Sequence, residues 1–140
     1  MVALIDANVI LNYITEREDK YLEPSKKIVE LCADETIVGY MAFHSVSIIW
    51  YSLKLPADEK RTWLFDICSV IHVVGATHEQ VMEAIQNEAF KDFEDCLQDA
   101  CAQQVGADCL VTCNVKDFAQ AKTKVYAPDE LIEALASEEK

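Results

Sequence analysis

Residues 1–11 read Met-Val-Ala-Leu-Ile-Asp-Ala-Asn-Val-Ile-Leu, a stretch in which a strand pattern gives way to a helix pattern at one acidic residue. The apolar run before Asp6 predicts a short buried strand, and the apolar spacing over 9–14 predicts a helix. Asp6 would then lie at the carboxyl edge of a parallel sheet, where open α/β folds bind ligands. Two interpretations stay open. Asp6 belongs to an acidic site, because a buried carboxylate needs donors or a cation, or it caps the following helix.

Strand and helix patterns alternate along the rest of the chain. Further strands are predicted at 36–40, 70–74, 107–112 and 124–126, and helices at 25–34, 45–55, 58–69, 77–88, 92–105 and from Pro128 onward. Thr77 and Gln80 form a capping-box pattern, and Gly106 is typical of a helix end. Such alternation predicts a parallel sheet covered on both faces. We therefore expect one domain over residues 1–140, a three-layer α/β/α sandwich with a central parallel sheet of four to five strands.

Composition and charge limit the classes of protein to which the chain can belong. The 140 residues include 25 acidic and 12 basic side chains, for a net charge of −13. This charge argues against general, phosphate-driven binding of nucleic acid, although a nucleic-acid substrate bridged by cations remains compatible with it. A basic protein partner would complement the charge. No apolar stretch approaches the roughly 20 residues that span a membrane, and a signal peptide is not expected, so a cytoplasmic protein is expected.

The six cysteines lie inside apolar segments, at positions 32, 68, 96, 101, 109 and 113. This placement predicts buried, reduced thiols, as in cytosolic proteins. Cys109 and Cys113 lack the second Cys or His pair that a zinc site requires, so zinc is not expected.

A second acidic group lies on the predicted helix 92–105. Asp92, Asp95 and Asp99 are spaced i, i+3, i+7 and fall within roughly 60° of one another on the helix surface. The opposite face is expected to carry Phe93, Leu97 and Cys101. The acids form either a solvated face, with Asp92 as N-cap, or a set of like charges whose repulsion a divalent cation would remove.

A third polar cluster, residues 112–118, follows a predicted strand and so occupies the same sheet edge as Asp6. It offers a hydroxyl from Thr112, a neutral oxygen from Asn114 and a carboxylate from Asp117. Alternatively, it is an ordinary polar turn in which Asn114 takes a left-handed conformation. Oxygen ligands from three separate segments, without a histidine pair, favour Mg²⁺ or Mn²⁺ over zinc.

The three motifs span almost the whole chain, and together they carry a resemblance. They read Asp6-x-Asn8, Asp92-Phe-Glu-Asp95-Cys-Leu-Gln98 and Thr112-x-Asn114-x-x-Asp117-Phe118. In order and spacing the chain resembles the PIN-domain family, whose members are mostly metal-dependent ribonucleases, many of them toxins of VapBC-type toxin–antitoxin pairs. The resemblance implies an endoribonuclease that hydrolyses RNA phosphodiesters with Mg²⁺ or Mn²⁺, has an antitoxin partner and forms a homodimer.

The resemblance also implies roles for individual residues. Asp6, Asp95 and Asp117 would be the catalytic acids and, with Asn114, would hold the metal ion. Asp99, one helical turn beyond Asp95, is a further candidate ligand. The expected substrate contacts are Asn8, Thr112 and Lys116.

The chain departs from the family pattern in two places. PIN nucleases usually carry a glutamate early in the helix after the second strand, but residues 44–51 contain no acid, and position 114 is Asn where Asp is common. Fewer negative charges weaken metal binding, that of a second ion in particular. A catalytically weakened PIN-like binding module is therefore an alternative. His44 and Ser47 either face the site or serve capping and packing.

A second alternative is a receiver-like signalling domain, which also combines acids and Mg²⁺ at the edge of a parallel sheet. Such a domain would need an acidic pair after the first strand, whereas Asp6 is followed by Ala7.

Overall fold

A computed structural model describes residues 1–138, so the last two residues of the expected domain 1–140 lie outside the described part. Its sheet has the strand order β3-β2-β1-β4-β5, and every pairing is parallel. The strands are β1 (Val2–Ile5), β2 (Val38–Ala42), β3 (His72–Val74), β4 (Cys109–Val111) and β5 (Val125–Tyr126). The expected parallel sheet is confirmed, with β1 at its centre and the ends of β1 and β4 side by side.

Helices cover both faces of this sheet. They are α1 (Ala7–Thr15), α2 (Leu22–Ala33), α3 (Phe43–Ser52), α4 (Ala57–Val70), α5 (His78–Gln86), α6 (Phe93–Gln104) and α7 (Pro128–Glu138), with a short 3₁₀ helix at Val115–Phe118. Successive side chains of β1 point to opposite faces. Ala3 and Ile5 therefore join one buried cluster, and Leu4 joins a second cluster with Cys101 of α6 and Phe118. The three-layer α/β/α arrangement is confirmed.

Several predicted boundaries are wrong by a few residues, for reasons of hydrogen bonding. The strand predicted at 36–40 begins at Val38, because the N–H of Ile37 donates to the carbonyl of Leu31 in α2. The strand predicted at 70–74 begins later, because the N–H of Ile71 still donates to the helix carbonyl of Ile67.

The cysteines are mostly buried, as expected. All six lie within the described residues and are free thiols, and burial raises the pKa of Cys32 and of Cys109 to about 12. Cys113 is only partly buried. Cys68 is exposed, which corrects the expectation, because Ile67 is the residue by which this turn of α4 faces the core. None of the helices in residues 1–138 is long and apolar enough to cross a membrane.

Close packing of α2 on the sheet depends on Gly39 in β2. A Cβ atom at this position would lie 2.6 Å from Sγ of Cys32 and 3.5 Å from Cγ1 of Ile71. Cys32 and Ile71 are both buried, so the core has little room to give way.

We expect Gly39→Ala to lower the free energy of unfolding by about 1–3 kcal/mol, because the added methyl group overpacks the contact with Cys32. Urea denaturation followed by circular dichroism measures the change. Gly75→Ala is the matched control, since no atom in the described part of the chain lies within 4 Å of a Cβ there. Equal midpoints for the two variants would show that α2 does not pack tightly on Gly39.

Candidate functional site

The first element of the candidate site is the pair of strand ends at the centre of the sheet. Ile5 of β1 pairs with Val111 of β4, and the N–H of Asp6 donates to the carbonyl of Val111 at 2.9 Å. Asp6 and Thr112 therefore follow neighbouring strands at the same carboxyl edge. This is the edge at which the sequence predicts an acidic site.

Asp6 is buried, with 7% of its surface exposed. It occupies the N-cap position of α1 with extended backbone, but within the described residues its side chain makes no capping hydrogen bond. The capping interpretation is therefore wrong, and the carboxylate is directed into the interior of the site.

Three donors compensate the Asp6 carboxylate. The amide Nε2 of Gln98 donates to Oδ1 at 2.6 Å, the hydroxyl of Thr112 donates to Oδ2 at 2.8 Å, and the amide Nδ2 of Asn8 donates to Oδ2 at 3.2 Å. Hydrogen bonds of this kind remove most of the desolvation penalty of a buried charge. The contact from Gln98 on α6 is not foreseen by the sequence.

Asn8 and Thr112, expected to contact substrate, also connect the two strand ends. The N–H of Cys113 donates to Oδ1 of Asn8 at 3.2 Å, and the N–H of Asn114 donates to the hydroxyl of Thr112 at 3.0 Å. Thr112 is fully buried. Its position corrects the expectation of a substrate contact, since its hydroxyl is used to orient the site.

Asp95 brings a second carboxylate to this edge from α6. Burial, together with the negative charges of Asp92, Asp6 and Asp117, raises the pKa of Asp95 to about 7. Like charges affect each other this way only at short range. The charges of Asp6 and Asp117 thus act on Asp95, and these are the three acids that the resemblance designates as catalytic.

An open cleft of about 810 Å³ lies in front of Asp95 and Asp117. Its lining comprises Ala89, Lys91, Asp92, Phe93, Asp95, Lys116, Asp117, Ala119 and Gln120. Lys116, one of the expected substrate contacts, is exposed on this lining. The cleft thus combines three carboxylates with two lysines.

Asn114 lies exposed immediately before the 3₁₀ helix Val115–Phe118. Its φ of −120° contradicts the left-handed conformation considered from the sequence. Its carbonyl accepts the N–H of Asp117 at 3.0 Å. Asn114 therefore fixes the turn that carries Asp117 through its backbone carbonyl.

Asp99 is not part of this group. It is 3% exposed, and its carboxylate accepts the N–H groups of Lys122 at 3.0 Å and Thr123 at 3.2 Å and the amide of Gln103 at 3.2 Å. The structure thus gives Asp99 the role of fixing the loop before β5, which corrects its expected role as a metal ligand.

The orientation expected for the acidic face of α6 is only partly correct: Cys101 packs on the sheet as expected, but Asp99 and Phe93 do not lie as expected. Gln98 and Asp99 are on the buried side of this helix, whereas Phe93 is 45% exposed. Asp92 is the N-cap, as one interpretation predicts, because its Oδ1 accepts the N–H of Glu94 at 2.8 Å. Packing of Cys101 and Ala102 on the sheet determines how α6 is rotated about its own axis.

His44, in the first turn of the glutamate-free helix α3, lies near the acids. Burial lowers the pKa of His44, while the carboxylates of Glu94, Asp6 and Asp92 act in the opposite direction. Its Nε2 atom is buried without a hydrogen-bond partner in residues 1–138. Ser47 instead donates to the carbonyl of His44 at 3.1 Å, so its hydroxyl is satisfied within the helix.

The donor set determines which metal the site suits. Crowded carboxylate oxygens suit a hard cation such as Mg²⁺ or Mn²⁺. Among residues 1–138, no three His, Cys, Asp or Glu side chains are grouped so that they would hold a metal ion. Mg²⁺ nevertheless usually keeps several waters and binds through one or two carboxylates together with substrate phosphates. The residues therefore fit an ion with few protein ligands.

Comparison with known proteins agrees with this geometry. A family model described as PIN domain matches residues 2–116. None of the curated proteins compared with the chain is significantly similar to it.

Solved structures share the fold at low sequence identity. VapBC2 from Rickettsia felis, bound to a DNA fragment from its promoter, is 17% identical, with a TM-score of 0.66 over 91% of this chain and 98% of that chain. VapBC-1 from nontypeable Haemophilus influenzae is 15% identical, with a TM-score of 0.67 over 92% and 99%. PAE2754 from Pyrobaculum aerophilum is 17% identical, with a TM-score of 0.62 over 98% and 96%. Because the family model matches more than half of the sequence, the chain belongs to the PIN-domain family.

Proposed function

We propose that this chain is a Mg²⁺- or Mn²⁺-dependent endoribonuclease that hydrolyses RNA phosphodiesters and is the toxin of a toxin–antitoxin pair. The observation that carries the proposal is the crowding of negative charge around Asp95, where burial and the charges of neighbours that include Asp6 and Asp117 raise its pKa to about 7. PIN domains generally use divalent metal ions, and such an ion would relieve this crowding.

In the proposed mechanism, Asp6 and Asp95 would hold the ion, and Asp117 and Asn114 would complete or orient its shell. When bound, a divalent ion stabilises negative charge on the phosphoryl oxygens and lowers the pKa of water. Gln98 and Thr112 hold the Asp6 carboxylate in one orientation. Little reorganisation of Asp6 is then needed during the reaction, which is the basis of electrostatic preorganisation.

The substrate would enter the cleft in front of the acids. Lys91 and Lys116 line this cleft and would contact phosphates that flank the scissile bond. The net charge of −13 repels RNA at longer range. Binding would therefore depend on these local cations and on the bridging metal ion, with few phosphates neutralised.

Partners follow from the same comparisons. VapBC and FitAB structures are among the similar structures, which supports an antitoxin partner for this chain. The net charge of −13 favours a partner whose contacting segment is basic. We also propose a homodimer, since Tyr51 and Phe65 are 78% and 75% exposed and could pack against a second copy. The free thiols agree with the proposed location in the cytoplasm.

A catalytically weakened PIN-like binding module is the second candidate. The observation in favour of this second candidate is that Gln98, Thr112 and Asn8 already compensate the Asp6 carboxylate without a cation. Such a module would bind Mn²⁺ or RNA but form no metal-dependent product. The receiver-like alternative is wrong, because the chain belongs to the PIN-domain family.

Asp6→Asn and Asp95→Asn are each expected to reduce Mn²⁺-dependent RNA cleavage roughly 100-fold or more, because each removes a charge from the reacting centre. Cleavage of a labelled RNA is measured with and without MnCl₂, and circular dichroism verifies folding. Asp66→Asn, which changes an exposed acid on α4, is the matched control and keeps the wild-type rate. Wild-type rates in both site variants would refute the assignment.

The raised pKa of Asp95 also predicts a pH dependence of stability. The pKa is about 7 in the folded chain, against an ordinary value of 3.8. Between these values the folded state binds more protons, so stability falls as the pH rises. In EDTA at pH 8, Asp95→Asn should melt roughly 3 °C or more above the wild type. The difference should shrink towards pH 4.

Thermal denaturation between pH 4 and pH 8 measures this effect, with Asp66→Asn as the control that should follow the wild type throughout. Added Mn²⁺ should stabilise the wild type and narrow the gap at pH 8. A gap that does not change with pH would mean that Asp95 is not destabilised by its neighbours.

A further inference from the structure

The hydrogen bonds of Asp6 limit how many cations it can contact. An ionised carboxylate has about four lone-pair positions. Oδ2 accepts from both Thr112 and Asn8, and Oδ1 accepts from Gln98 at 2.6 Å. One position therefore remains, on Oδ1. A second ion at Asp6 would therefore have to take the position on Oδ1 that the amide of Gln98 occupies.

Gln98 controls that remaining oxygen. Its side chain is 3% exposed, and its amide nitrogen is directed to Oδ1 of Asp6. Its own Oε1 is buried without a hydrogen-bond partner in the described part of the chain. Buried carbonyl oxygens rarely lack donors. The orientation of the amide is therefore set by the need of Asp6 for a donor, and an unsatisfied oxygen remains beside the site.

Charge also limits the number of ions. In two-metal sites the ions lie about 3.5–4 Å apart, and their mutual repulsion must be offset by carboxylates. Here Gln98 adjoins Asp6 as a neutral amide, and His44 occupies the first turn of α3 as an imidazole. Neither adds the negative charge that a second ion needs.

We infer that Gln98 restricts the acidic site to one divalent ion. This inference rests on the proposed function, because it concerns the ion that the proposed nuclease uses. Gln98 is a positioning residue, since it acts through Asp6. The site would then hold one ion through few carboxylates.

Titration of the intact chain with MnCl₂ by isothermal calorimetry tests the inference. The wild type should bind one Mn²⁺ per chain. Gln98→Glu replaces the donor at Oδ1 by a carboxylate oxygen, so the variant should bind two Mn²⁺ per chain. Gln103→Glu is the matched control, because Gln103 lies on the same helix and its amide contacts the Asp99 carboxylate at 3.2 Å. This control should keep one ion with unchanged affinity.

The outcomes separate the inference from the proposed function. Two ions in the wild type, or one ion in folded Gln98→Glu, would overturn the role of Gln98 and leave the nuclease proposal standing. A wild type that binds no Mn²⁺ and cleaves no RNA would overturn the proposed function itself. If Gln98→Glu is unfolded in EDTA, refolding with two Mn²⁺ per chain supports the inference, and failure to refold with Mn²⁺ contradicts it.

Discussion

The acidic site depends on the hydrogen bonds that compensate the buried carboxylate of Asp6. These bonds come from α6, from the end of β4 and from the first turn of α1, through Gln98, Thr112 and Asn8. Three separate parts of the chain are therefore held together by their hydrogen bonds to the Asp6 carboxylate. Loss of one donor would leave the carboxylate buried and less well compensated, which is among the more costly defects in a protein interior. The fold and the site are stabilised by the same contacts.

The carboxylate of Asp95, in contrast to that of Asp6, lies in surroundings that disfavour its charged form. It lies among other carboxylates, and burial together with their charges raises its pKa to about 7. Asp6 is compensated by hydrogen bonds within the protein, whereas no side chain or backbone N–H of residues 1–138 donates a hydrogen bond to the Asp95 carboxylate. A cation bound on the cleft side of the site would offset the negative charge around Asp95. The contrast between Asp6 and Asp95 illustrates how a functional site retains local instability that the rest of the fold tolerates.

The sequence predicts those features that are encoded locally. The change of pattern at Asp6 places it at the sheet edge, the Thr77 capping box forms, and Gly106 ends its helix with a φ of 60°. The contact between Gln98 and Asp6 joins residues 92 positions apart, and local patterns carry no information about it. The rotation of α6 about its axis is likewise determined by packing on the sheet. Helical spacing alone therefore could not predict that Asp99 is buried.

The hydroxyl of Thr112 donates a hydrogen bond to Asp6 and accepts one from the N–H of Asn114. Asn114 in turn receives the N–H of Asp117 through its carbonyl. Three hydrogen bonds thereby connect the carboxylate of Asp6 at the strand end to the backbone of Asp117 in the 3₁₀ turn. Acids that lie 111 positions apart in the printed sequence can then keep their spacing while the exposed loops around them change shape.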